Sequence, residues 1–226
     1  MDNSQILQHI GAIIAGIGGL GTAAFGLVDA SKALWGGGVN RIGFSSIRAR
    51  MTGYLPQQPT NGLTLSDALA TLRENWFTGT DLGSQKAIAK SLIKLSFNDV
   101  SAAQMATASG LNTVTLTAIA QKIAACVSLT ASESDAYARF DAIVTAQLDA
   151  TYRHADQRYV NATRAWAMAA AVVLAIAAAW LINDRSAADL WQAFFVGLIA
   201  TPLAPIAKDL SSALATAVNT MQLVRK

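Results

Sequence analysis

The stretch Ala165-Trp-Ala-Met-Ala-Ala-Ala-Val-Val-Leu-Ala-Ile-Ala-Ala-Ala-Trp-Leu-Ile182 decides the fold, because it contains no Asp, Glu, Lys or Arg from end to end. A membrane-crossing helix needs about 20 predominantly apolar residues. In hydrocarbon the helix is also the simplest way for one segment to satisfy its own backbone groups. Trp166 and Trp180 stand near the two ends, about 21 Å apart at helical rise, as interfacial aromatics should be.

Two further runs read the same way. One extends from Leu190 to Ala207, with Trp191 at its start. Only Asn183 to Asp189 separates it from the first stretch, so the two form an antiparallel hairpin, and Ser186 with Asp189 has the spacing of a capping box. The other extends from Ile6 to Val28 and is also free of charge. Its opening Met1-Asp2-Asn3-Ser4-Gln5 lacks the bases of a signal peptide, so a retained anchor is expected.

Composition agrees. The chain is 53% hydrophobic and only 14% charged, against about a quarter charged in soluble domains. Four prolines in 226 residues, together with abundant alanine and leucine, favour an all-helical fold. The net charge of +3 is not gathered into a basic run, so nucleic acid is not expected as a partner. Cys126 is the only cysteine and excludes an intrachain disulfide.

Flanking bases orient the spans. Lys32, Arg41, Arg48 and Arg50 follow the first, Arg153, Arg158 and Arg164 precede the second, and Lys208, Arg225 and Lys226 follow the third. The hairpin tip offers only Arg185 between aspartates. Lys and Arg are retained on the cytoplasmic side. The expectation is a multi-pass protein of the cell inner membrane with its amino terminus outside and its domain and carboxyl end cytoplasmic. Its parts are a first transmembrane helix (1–29), a cytoplasmic helical domain (30–131), a long stalk helix continuing into the second span (132–183), a third span (186–207) and an amphipathic tail helix (208–226).

The first span is glycine-rich. Gly11, Ala15, Gly19 and Ala23 form a small-residue row at spacing four, and Ala12, Gly16 and Gly19 begin another. Such rows let helix backbones approach closely in lipid. Small residues on several faces exceed what two other spans can cover, so a homo-oligomer is expected. A proton-carrying ring is excluded, because it needs an ionisable group in mid-membrane and His9, near the outer end, is the only titratable side chain of this span. In the third span Pro202 and Pro205 should kink or break the helix.

Between the first two spans, residues 30 to 62 read as turns, at Gly36-Gly37-Gly38 and Pro56-Gln-Gln-Pro59, with one amphipathic stretch. Its Val39, Ile42, Phe44, Ile47 and Met51 suit either docking onto the domain or lying on anionic headgroups. Helices are expected at about 65–76, 84–95, 99–109 and 113–128. Gln104 to Ile119 has helix-turn-helix spacing, with Ala106, Gly110, Leu116 and Ile119 at packing positions. Its second helix carries only Lys122, too little to neutralise phosphates, so a plain helical corner is expected. From Thr130 the stripe Tyr137, Phe140, Val144, Leu148, Thr151, Ala155, Tyr159, Ala162 and Trp166 runs unbroken into the second span, and Ile206, Leu210, Leu214, Ala217, Met221 and Val224 repeat it in the tail. The two stripes suit pairing with each other or between protomers, coiled-coil fashion.

No catalytic, cofactor or metal site is recognisable. His9 and His154 fall on opposite sides of the bilayer, Tyr152-Arg153-His154-Ala155-Asp156 reads as a solvated face, and no glycine cluster has phosphate-loop context. In layout the chain resembles uncharacterised bacterial membrane proteins. The shared features are Val28-Asp29-Ala-Ser-Lys32-Ala33 after the first span, then Phe140-Asp141-Ala142, Tyr152, Ala155-Asp156-Gln157-Arg158-Tyr159 and Thr201-Pro-Leu-Ala-Pro-Ile-Ala-Lys-Asp209. The resemblance implies topology and bacterial origin and no activity. The expected function is a non-enzymatic homo-oligomeric scaffold or anchor in contact with membrane lipid, with room for a soluble cytoplasmic protein partner. A channel or pore stands second and a membrane-tethered DNA binder third.

Overall fold

The computed structural model describes residues 3–34, 37–56, 63–182 and 187–224, with side-chain surroundings for His9 and residues 11–32, 37–56, 63–181 and 188–206. Among them are eight α-helices and no strand: α1 Asn3–Leu34, α2 Asn40–Tyr54, α3 Leu65–Phe77, α4 Leu82–Leu95, α5 Ala102–Ser109, α6 Thr113–Ala124, α7 Ala131–Ile182 and α8 Ala187–Val224. Three are long and apolar enough to cross a membrane: α1 over Gly11–Lys32, α7 within Ala131–Leu181 and α8 over Ala188–Ile206. The capping box at Ser186, the turn residues Gly36 and Pro59, and the bases Arg185, Arg225 and Lys226 lie outside the described residues. So do the side chains of Lys208 and of the tail stripe from Leu210 to Val224.

The chain divides into two compact units. Unit 1 comprises residues 1–39 and 160–226, and unit 2 comprises residues 40–159.

In unit 2 the first part of α7 is the central helix. Phe140, Val144, Leu148, Tyr152 and Ala155 are each no more than 2% exposed. They share one core with Ile47 and Met51 of α2, Leu72 and Trp76 of α3, Ile93 of α4, Met105 of α5 and Leu116 and Ile119 of α6. From Phe140 to Ala155 the stripe expected to pair as a coiled coil is therefore covered within its own chain. Burying each such large side chain contributes about 1.5–3 kcal/mol. Phe97 adds aromatic contacts to Tyr137 and Phe140, each with ring centroids 5.6 Å apart. The amphipathic stretch resolves the same way, since Phe44, Ile47, Met51 and Tyr54 of α2 all face this core.

Local chemistry sets the helix ends. Thr64, Asp81 and Asn112 cap α3, α4 and α6 by accepting from the backbone N–H three residues on. Thr130 and Glu133 form a capping box at the start of α7: Thr130 N–H donates to Glu133 Oε2 at 2.8 Å and Glu133 N–H to Thr130 Oγ1 at 3.3 Å. Gly110 ends α5 in the left-handed region at φ 72°. Helix α6 stops at Ala124, short of the expected 128, because Cys126 adopts φ 55° and the Val127 N–H turns back to the Lys122 carbonyl.

In unit 1, α1 packs on α8, and the core is built from alanine. Ala24 of α1, Ala171 of α7 and Ala200 of α8 are fully buried, flanked by Ile17, Leu20 and Ala170. Helix α1 continues past residue 29 to Leu34, and its last turn carries an Asp29–Lys32 ion pair at 2.5 Å. Helix α8 runs without interruption through Pro202 and Pro205. The expected break there, and with it a separate tail helix, is absent. Each proline removes a single donor, and both rings are exposed rather than wedged into the core. In hydrocarbon, unwinding would leave several more backbone groups unpaired.

Candidate functional site

The glycine-rich helix α1 has two opposite faces. Ile17, Gly21, Ala24 and Val28 follow one another at spacings of three and four and are buried or half-buried in unit 1. Gly21 is indispensable to that face. A Cβ there would overlap the Ala200 carbonyl oxygen and lie 2.8 Å from the Ala204 Cβ. Gly197 of α8 plays the same part against α7, where a Cβ would meet the Val172 Cα at 2.5 Å and the Ala171 carbonyl oxygen at 2.9 Å. Without side chains at these points the backbones approach closely enough for dispersion to hold them.

The residues singled out for oligomerisation lie on the other face. Ala15, Gly16, Gly19 and Ala23 are exposed and Gly11 is half-buried. A Cβ added at Gly16, Gly19 or Gly26 would meet nothing within 4 Å. From Ala15 to Ala23 the row is therefore open in the protomer. Gly21 and Gly197, which do, were not distinguished in the sequence. Gly21 was one of six glycines in its span, and Gly197 stood alone between Val196 and Leu198.

The three tryptophans meant for the interface, Trp166, Trp180 and Trp191, are 57%, 51% and 64% exposed, so about half or more of each lies at the surface. Trp180, Val173 and Leu181 of α7 form part of a wholly apolar surface. Thr201 is the polar exception, being 3% exposed with a hydroxyl that finds no hydrogen-bond partner among the described residues. It precedes Pro202, and Pro205 lacks the N–H that would bond the Thr201 carbonyl in a regular helix.

Unit 2 carries most of the charge. Lys86, Lys90 and Lys94, one helical turn apart on α4, face α7, where Lys86 pairs with Asp149 at 2.6 Å and the other two with Asp141 at 2.7 Å. Hydrogen bonds from Lys90 and Lys94 hold the Asp141 carboxyl below the usual range, and those from Lys86 and Arg153 do the same for Asp149. These pairs align α4 on α7; they do not converge on a reacting centre. Among the described residues no three His, Cys, Asp or Glu side chains come together as a metal-binding group. The string from Tyr152 to Asp156 is split rather than uniformly solvated: Tyr152 and Ala155 are buried, while Arg153, His154 and Asp156 are exposed. In the α5–α6 corner Lys122, the only base of the second helix, is held by Glu133 at 2.6 Å. The Ala106, Leu116 and Ile119 side chains are core.

No protein-family model, curated protein or solved structure matches the chain.

Proposed function

We propose that the chain is a non-catalytic scaffold or anchor of a bacterial inner membrane. It self-associates through the open face of α1, holds its amino terminus outside, and presents unit 2 and its carboxyl end to the cytoplasm. The observation that carries this reading is the division of labour on α1. Gly21 and Ala24 serve the protomer, whereas Ala15, Gly16, Gly19 and Ala23 are exposed, and among the described residues nothing lies within 4 Å of a Cβ at Gly16 or Gly19. Close small-residue contact is the main attraction between helices in lipid, and a second copy of the same face supplies a matching surface.

The test is the mass of the detergent-extracted particle for wild type, Gly16→Leu and Gly19→Leu. Neither substitution meets an atom of its own protomer at the Cβ, so both variants should fold and yet run as smaller particles. Unchanged mass in both would overturn the reading.

A pore is the second reading, and Thr201 is the observation in its favour. A buried hydroxyl without a partner amid apolar helices is the kind of group that lines a path for water. Channels otherwise show rings of charged or carbonyl groups. Ion flux in proteoliposomes that is lost on Thr201→Val would promote it.

A further inference from the structure

Helices α2 and α7 of unit 2 enclose a groove of about 450 Å³, within the range of small-ligand sites. Small residues make the room: Ala49 and Gly53 of α2, Ala108 of α5 and Ala150 of α7. Ser46, Arg50 and His154 supply its polar lining. A second guanidinium reaches the same place, because Arg158 Nη1 donates to Ser46 Oγ at 3.0 Å.

These two arginines differ from most other cations of unit 2. Lys86, Lys90, Lys94, Lys122, Arg139 and Arg153 each have a carboxylate partner. Among the described residues, Arg50 has the Gln147 amide oxygen, at 3.4 Å, and Arg158 the Ser46 hydroxyl, and neither has a carboxylate. No carboxylate lines the groove. Asp149 is engaged by Lys86 and Arg153. Asp156 lies two residues from both His154 and Arg158 and so points about 200° away around α7.

We propose that this groove binds a phosphate group, with the Arg50 and Arg158 guanidinium groups and the Ser46 hydroxyl as donors. The planar guanidinium fork matches phosphate oxygens with two parallel hydrogen bonds, which an amide or hydroxyl partner leaves unused. A compact anion fits the volume, whereas a protein partner needs an interface of about 1,000 Å² or more. Two sources carry the same chemistry, a soluble phosphate compound and a phospholipid headgroup. The second is suggested by Arg158 preceding the apolar run at Ala165 by a short stretch of sequence. The site is independent of self-association through α1.

The experiment uses the full chain in a neutral detergent with two probes. Inorganic phosphate is titrated by calorimetry, and retention of phosphatidic acid against phosphatidylcholine is measured by native mass spectrometry. Arg50→Gln and Arg158→Gln should each weaken binding about tenfold, the worth of a charge-assisted hydrogen bond. Gly53→Leu should block the groove without disturbing the fold, since a Cβ there meets only the Ala108 Cβ at 3.9 Å. Variant-sensitive binding of phosphate alone supports the soluble source, and variant-sensitive retention of phosphatidic acid supports the headgroup. The proposal is overturned if neither probe binds, or if all three variants bind as wild type does.

Discussion

Gly21 of α1 lies directly against the backbone carbonyl of Ala200 in α8, with the Ala204 methyl group on the same side. No side chain fits between these helices, so the contact is one of backbone on backbone. The prediction is a contrast between two neighbouring glycines. Gly21→Leu should destabilise the detergent-solubilised chain by about 1–3 kcal/mol or more through overpacking. Gly19→Leu, on the open face, should leave the melting temperature of the protomer almost unchanged. Thermal unfolding followed by helical circular dichroism separates the two.

A second close approach sits in unit 2. A Cβ on Gly43 of α2 would lie 2.5 Å from the Trp76 ring and 2.9 Å from the Ala155 carbonyl oxygen. Helix propensity alone favours alanine over glycine by about 1 kcal/mol. Steric exclusion should win here, and Gly43→Ala is expected to cost about 1–3 kcal/mol. The Trp76 indole N–H, which donates to the Asn40 carbonyl at 3.0 Å, would be displaced with it. Tryptophan fluorescence should therefore shift to the red in the folded variant.

Two buried tyrosines should respond oppositely to loss of their hydroxyls. The Tyr54 hydroxyl donates to Gln147 Oε1 at 2.5 Å, so Tyr54→Phe should cost about 1 kcal/mol. The Tyr152 hydroxyl is buried without a partner among the described residues, and burial drives its pKa well above the ordinary phenol value. Tyr152→Phe removes a desolvated group that gains nothing in return. It should be neutral or stabilise by up to about 1 kcal/mol, as read by denaturant titration.

The start of α7 should be acid-sensitive. Hydrogen bonds from Lys122 first, then from the Thr130 backbone and hydroxyl, lower the Glu133 pKa from its ordinary 4.5 to about 2. A carboxyl whose pKa is depressed by folding stabilises the fold above its unfolded value and loses that contribution as pH falls through the folded value. The difference in melting temperature between wild type and Glu133→Gln should thus be full above about pH 5 and shrink as pH falls from about 4.5 to about 2. A constant difference across that window would show that the capping box does not depend on the charge.

Much of this architecture was legible because it depends on local chemistry. Charge-free runs mark α1, the end of α7 and most of α8, and the caps at Thr64 and Thr130 each need only four consecutive residues. Features that depend on distant partners were not legible. The stripe from Tyr137 to Tyr159 has the period of a coiled coil, and nothing in α7 itself says that α2 to α6 cover it. The two glycine faces of α1 look alike in sequence, and only the position of Ala200 distinguishes Gly21 from Gly19. At Pro202 and Pro205 the rule that proline ends a helix was outweighed by the cost of leaving backbone groups unpaired among apolar neighbours. The groove at Arg50 and Arg158 joins positions far apart in the chain, with no spacing to announce it.

Cys126 is exposed and left-handed just past the end of α6, and it is the sole thiol of the chain. Nature has thereby left a single chemical handle on unit 2. A membrane-impermeant maleimide offered to intact cells and to inverted vesicles would brand this unit with its compartment, with no residue changed and no tag appended.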